Sequence, residues 1–228
     1  RRGGIIMPNT TLNTCKIMGP KEHIAMLLED MNKNGDMRLS HAYPQPKEFI
    51  GIYAGNITID NEQHNVWRYS TKIKKIEDMK DATPVAIPDA EQDAILLQHG
   101  TMDPLEWQYA NWGTKWGDYD TVVEKIDDEE FMVAFTSAWK EPDLLLHEIA
   151  MKYSVIIQNK YILEFEDETY YSEYPIEEKE VYYLKDLHRQ TRKAMKAIQN
   201  MVSEQLENNP KYKGIEILKS HGFYDEEE

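Results

Sequence analysis

The chain has 228 residues, of which 41% are hydrophobic and 11% aromatic, a composition that builds a core rather than a disordered segment. Its 41 acidic and 26 basic residues leave a net charge of -15, a field that repels nucleic-acid phosphates and anionic membranes and draws in basic protein surfaces. One cysteine, Cys15, excludes an internal disulfide and fits a reducing cytoplasm, and no apolar run is long enough to span a bilayer.

Arg1-Arg2-Gly3-Gly4-Ile5-Ile6 precede Met7-Pro8-Asn9 without the apolar stretch of a signal peptide. Residues 1–6 read as a cloning scar or start-site extension before a natural Met7, with a basic arm as the alternative. Residues 11–18 alternate as a strand, with Asn13, Cys15 and Ile17 on one face and Thr14, Lys16 and Met18 on the other. Gly19-Pro20 opens a helix whose stripe is Ile24, Leu27, Leu28 and Met31, and Asn34-Gly35 is expected to stop it in a left-handed turn. Residues 37–50 form a proline-punctuated connection. Residues 51–88 read as short strands with a turn at Asp60-Asn61, and residues 89–110 as two helical pieces split near Gly100 and Pro104. Asn111-Trp112-Gly113-Thr114-Lys115-Trp116 is then expected as a loop. Residues 120–139 make a hairpin turning at Asp127-Asp128-Glu129-Glu130, Pro142 opens a helix to about Tyr153, and Val155–Phe165 is a strand. An acidic loop or hairpin over 166–180 carries Tyr170, Tyr171 and Tyr174. A long helix follows from about Val181 to Glu207, with Leu184, Leu187, Ala194, Ile198, Val202 and Leu206 inward; Asn208-Asn209-Pro210 stops it, and a short strand over Ile215–Leu218 and an acidic tail close the chain.

The order strand, helix, insert, strand, strand, helix, strand is that of a split βαβ, ferredoxin-like α+β sheet. It gives one domain over 7–180 with an insertion at about 51–100, and a C-terminal helix and tail over 181–228 packed on that domain. Met7-Pro8-Asn9, Asn13-x-Cys15-x-Ile17-x-Gly19-Pro20, the string Asn111–Trp116 and Thr136-Ser137-Ala138-Trp139 with Pro142 together resemble the YubB-type ferredoxin-like family of small phage and plasmid proteins. The resemblance covers roughly 7–50 and 100–165. The chain departs from it at Thr10-Thr11, where family members often carry Trp-Cys, and in the helix after 180. It implies a fold and a mobile-element origin, and it brings no catalytic residues.

Four features bear on binding. Trp112, Trp116 and Trp139, with nearby Trp107 and the cation Lys115, would form an aromatic box for a nucleobase and its phosphate. Equally, the tryptophans would seal the sheet end with Lys115 along an indole. Asp30, Asn32, Asn34 and Asp36 match the first half of a calcium loop, but Arg38 and His41 stand where oxygen ligands belong, so no metal is expected. Lys185, Arg189, Arg192, Lys193 and Lys196 recur at helical spacing, either to dock an acidic group or as a solvated face. Asp127, Asp128, Glu129 and Glu130 are the acidic patch set against a basic partner, with solubility as the simpler reading.

The seven histidines are scattered, no nucleophile motif is present, and Cys15 sits on an apolar strand face. The expectation is therefore a non-enzymatic protein without a cofactor. It would act in the host cytoplasm, binding and neutralising a basic, nucleic-acid-handling host protein as counter-defence or host takeover. The alternative is a sponge for a nucleotide-like signal, and a minor one is a nucleotide-processing enzyme. Direct nucleic-acid or membrane binding is not expected.

Overall fold

A computed structural model describes residues 10–70, 82–164 and 166–176. The chain divides into two compact units, Arg1–Lys185 and Asp186–Glu228, and every described residue lies in the first. Residues 1–6, Met7-Pro8-Asn9, the helix expected over 181–207, the strand at Ile215–Leu218, the acidic tail and the basic face Lys185, Arg189, Arg192, Lys193 and Lys196 lie outside the described residues.

The architecture is α+β with antiparallel sheets. Strand β1 (Thr10–Met18) buries Thr11, Asn13, Cys15 and Ile17 on one face, as its alternation requires. Helix α1 (Lys21–Met31) starts after Pro20 and buries Ile24, Leu27 and Met31. Asn34-Gly35 does not stop this helix. It forms the two-residue turn between β2 (Asn32–Lys33) and β3 (Asp36–Met37), with φ of 57° and 85°. Asn-Gly suits a hairpin turn that needs positive φ at both positions, and the Asn32 side chain accepts the Gly35 N–H at 2.9 Å.

A short helix α2 (Leu39–Ala42) and a 3-10 turn (Lys47–Phe49) occupy the expected connection. A three-stranded sheet then follows in the order β4 (Ile52–Ile59), β5 (Glu62–Tyr69), β6 (Pro84–Val85), turning at Asp60-Asn61. The β4–β5 register shifts between Ala54 and Ile57. Helix α3 (Asp89–His99) ends on a left-handed Gly100, and α4 (Pro104–Trp112) begins where Asp103 accepts the N–H groups of Leu105 and Glu106. Asn111 and Trp112 belong to α4, so the tryptophan segment is a loop only from Gly113 onward.

The main sheet has the order β10-β9-β1-β8-β7, with every neighbouring pair antiparallel. Its members are β7 (Tyr119–Lys125), β8 (Glu130–Ala138), β9 (Ile156–Leu163) and β10 (Tyr170–Tyr174); helix α5 (Asp143–Tyr153) joins β8 to β9. A bulge interrupts β7 between Tyr119 and Val122. Inward-facing Ile17, Phe131, Val133, Phe135 and Ile157 share one core with Leu27 of α1 and Leu145, Ile149 and Tyr153 of α5. The Tyr153 hydroxyl donates to Asp30, tying α5 to α1.

Asp118 fastens the connection to this core. It is buried, and its carboxylate accepts the N–H groups of Leu39 and Ser40, each at 2.8 Å, and the Thr121 hydroxyl at 2.8 Å. Replacing it leaves two buried donors without an acceptor. Asp118→Ala is expected to lower unfolding free energy by about 2–3 kcal/mol in urea denaturation, with an unchanged slope.

Candidate functional site

Two places stand out, the tryptophan loop and the outer face of the main sheet. In the loop, Trp112 is not a ligand group. It is 6% exposed, its indole N–H donates to the Tyr43 carbonyl at 3.0 Å, and it packs edge-on to Trp107. Lys115, Trp116 and Trp139 do come together: the Lys115 Nζ lies 4.2 Å from the centroid of each indole. Trp116 and Trp139 both have left-handed backbone, with φ of 68° and 70°. That conformation costs a bulky residue about 1–3 kcal/mol and persists only where neighbours impose it.

The neighbours are identifiable. The Trp116 N–H donates to the Gln108 side chain at 2.9 Å, and Gln108 in turn donates to Gln45 at 3.2 Å. Gly117 has φ of 64°, and a Cβ there would stand 2.9 Å from the Ser40 Cβ. Thr114 donates to the Ala138 carbonyl, and Trp139 stacks on Tyr109 at 6.0 Å.

The acidic turn is less bare than its sequence suggests. Asp128 pairs with Lys21 at 2.5 Å and with Lys125 at 2.6 Å, which hold its carboxyl down at about 2, Lys125 contributing most. Glu130 pairs with Lys16 at 2.9 Å. Among the described residues, Asp127 and Glu129 have no lysine or arginine partner, and Asp127 accepts the Glu129 N–H at 2.8 Å. The calcium-loop residues are otherwise engaged. Asp30 accepts from Tyr153 and Lys152, Asn32 and Asn34 shape the β2–β3 turn, and Asp36 pairs with Arg38 at 2.9 Å. Among the described residues, no group of three or more His, Cys, Asp or Glu is placed to hold a metal ion.

Sequence reasoning passed over a polar cluster on the inner sheet face. Asn13 donates to Ser137 at 2.8 Å, and Asn159 donates to Asn13 at 3.2 Å and to Glu141 at 2.9 Å. Ser172 also donates to Glu141 at 2.6 Å, and the Cys15 thiol donates to Asn159 at 3.2 Å. Burial pushes the Cys15 thiol up, with the Glu141 charge adding to it, so the sulfur is a packed group and not a nucleophile. The signal was Asn13 itself, a polar residue in a row otherwise shared with Cys15 and Ile17.

Tyr161 borders this cluster, and burial followed by the Glu141 charge pushes its hydroxyl up to about 12. The raised value favours the folded state while the phenol stays neutral. Its contribution is full below the ordinary pKa near pH 10 and is lost as pH rises through about 12. Alkaline denaturation followed by circular dichroism is expected to steepen across that window, and Tyr161→Phe to flatten it.

The outer sheet face is open. Cross-strand rows run Tyr171–Lys160–Thr14–Ala134–Val122 and Glu173–Gln158–Lys16–Met132–Glu124. Leu12 and Ile162 form the next row toward the β9–β10 end, and Ile156 and Met18 the one toward the acidic turn. Leu12, Val122 and Tyr171 are 60%, 66% and 74% exposed. A trough of about 540 Å³ crosses the face past Thr14, Lys16, Met132, Lys160 and Tyr171. Acidic residues stand at both ends, Asp127 and Glu129 at one and Glu164, Glu166, Asp167 and Glu168 at the other.

Among the described residues, no helix is long and apolar enough to cross a membrane. Compared with family models, with curated proteins and with solved structures, the chain matches none of them.

Proposed function

We propose that the chain is a non-catalytic binding protein of phage or other mobile-element origin that docks a basic, nucleic-acid-handling host protein on the open face of its main sheet and neutralises it. The observation that carries this reading is the set of exposed apolar side chains spread over that face, Leu12, Val122, Ile156, Ile162 and Tyr171. Several large apolar side chains exposed on one sheet face favour reading it as an interaction site. Asp127 and Glu129 at one end, Glu164, Glu166, Asp167 and Glu168 at the other, and a net charge of -15 favour a partner with a basic rim, which they steer in before the apolar side chains are covered.

The order β9-β1-β8-β7, with α1 after β1 and α5 after β8, supports reading the main sheet as ferredoxin-like. On that reading β4–β6 and α3 are the insertion, and the sheet face turned away from α1 and α5 is the one left for a partner. The central strands carry Leu12, Thr14, Lys16, Met132, Ala134 and Thr136 on that face. None is aromatic, so bases of a single strand have no stacking platform there. The sponge reading is weakened by Trp112, which is committed to the core. Nucleotide processing finds no support in Cys15, whose thiol is buried and hydrogen-bonded.

Leu12→Glu with Ala134→Glu places two charges on the exposed face without touching the core. Capture of a protein from bacterial host lysate is expected to fall by about tenfold or more in this variant, as for loss of interface anchors, and to weaken with salt. Unchanged capture by the folded variant, or a nucleotide co-purifying in native mass spectrometry with no protein partner, contradicts the proposal.

A further inference from the structure

The tryptophan loop carries an inference that stands apart from the sheet face. Two indoles stand against one positive charge, with the Lys115 Nζ 4.2 Å from each ring centroid. The faces of aromatic rings are negative and attract cations, indole most strongly. Both tryptophans are held there in left-handed backbone, at φ of 68° and 70°, by the Gln108 hydrogen bond, Gly117 and the Tyr109 stack. Strained bulky residues that converge on one point suggest that the point has a use. Trp116 remains 48% exposed, so the slot opens to solvent.

Lys115 is tethered beside Trp116 and fills the slot as its own chain's cation. We propose that the Trp116–Trp139 slot is a binding site for a quaternary ammonium or guanidinium cation, for which Lys115 is a tethered competitor. An incoming cation replaces like with like. A nucleotide fits poorly, because its neutral base would displace a charge from two negative ring faces. Its phosphates would also enter the field of a chain with net charge -15. The cation has two sources, a small ligand or an arginine or methylated lysine side chain of a partner.

The competitor role predicts a gain on removing the lysine. Tetramethylammonium chloride is titrated against sodium chloride of equal ionic strength, following the indole N–H resonances of Trp116 and Trp139. Lys115→Ala is expected to saturate at about tenfold lower concentration than the wild-type chain, the scale of one desolvated cation–π contact. Adding Trp116→Ala is expected to abolish the response at Trp139. If Lys115→Ala loses its cooperative melting, Lys115→Gln, which removes the charge and keeps the stem, takes its place. An arginine-bearing peptide saturating before tetramethylammonium assigns the site to a partner's side chain; the reverse order assigns it to a small ligand. Folded Lys115 variants with unmoved indole signals overturn the proposal, as does adenosine monophosphate acting at lower concentration than the ammonium ion.

Discussion

Strand β1 is paired along its length on both sides, to β8 from Thr10 through Met18 and to β9 from Thr11 through Met18. Because side chains alternate, this double pairing sets the register of the three central strands at once. A slip of one residue would turn Thr14 and Lys16 into the core and Cys15 and Ile17 into water. Lys16 makes that slip costly, since a buried ammonium needs a partner that the apolar rows of β8 do not offer. The inward row of β1 is also graded along the strand. At Ile17 it meets Phe131 and Ile157 and the helix core; at Asn13 it meets Ser137 and Asn159 and the polar cluster.

The charge balance is uneven in a way that net charge conceals. Asp128 and Glu130 are matched by lysines on neighbouring elements, and Asp30 and Asp36 are absorbed into helix and hairpin contacts. Asp118 and Glu141 act inside the fold as acceptors for backbone and neutral side-chain donors. Among the described residues, Asp127 and Glu129 stand exposed at one end of the main sheet and Glu164, Glu166, Asp167 and Glu168 at the other. Binding through this face would therefore combine steering at the ends with desolvation between them.

Elements with a strong period were legible in the sequence. The alternation of β1, the hairpin over 120–139 and the stripe of α1 come from one-sided burial, which leaves its period in the residues. Asn34-Gly35 was misplaced because a left-handed pair ends a helix or turns a hairpin equally well. The choice is made by Asp36 and Met37 pairing back onto Asn32 and Lys33. Asn111 and Trp112 read as loop because tryptophan crowding hid a helix turn that ends at Gly113. Within the loop, the meeting of Lys115 with Trp116 was within reach of the sequence as neighbours. The arrival of Trp139 from the end of β8 depends on tertiary contacts, as does the network through Glu141, whose members come from β1, β8, β9, β10 and the turn before α5.

The register break in β7 bears on how a sheet with exposed apolar side chains on one face resists growth at its edge. Flat edge strands recruit further strands, and a bulge bends the edge away from a straight template. Here the outer strand of the main sheet breaks between Tyr119 and Val122, and β4, the outer strand of the smaller sheet, breaks between Ala54 and Ile57. Sideways growth of either sheet into a filament is thereby discouraged at those edges, while the broad face stays accessible. The exposed apolar side chains are thus left on a broad face, where strand-to-strand pairing cannot propagate.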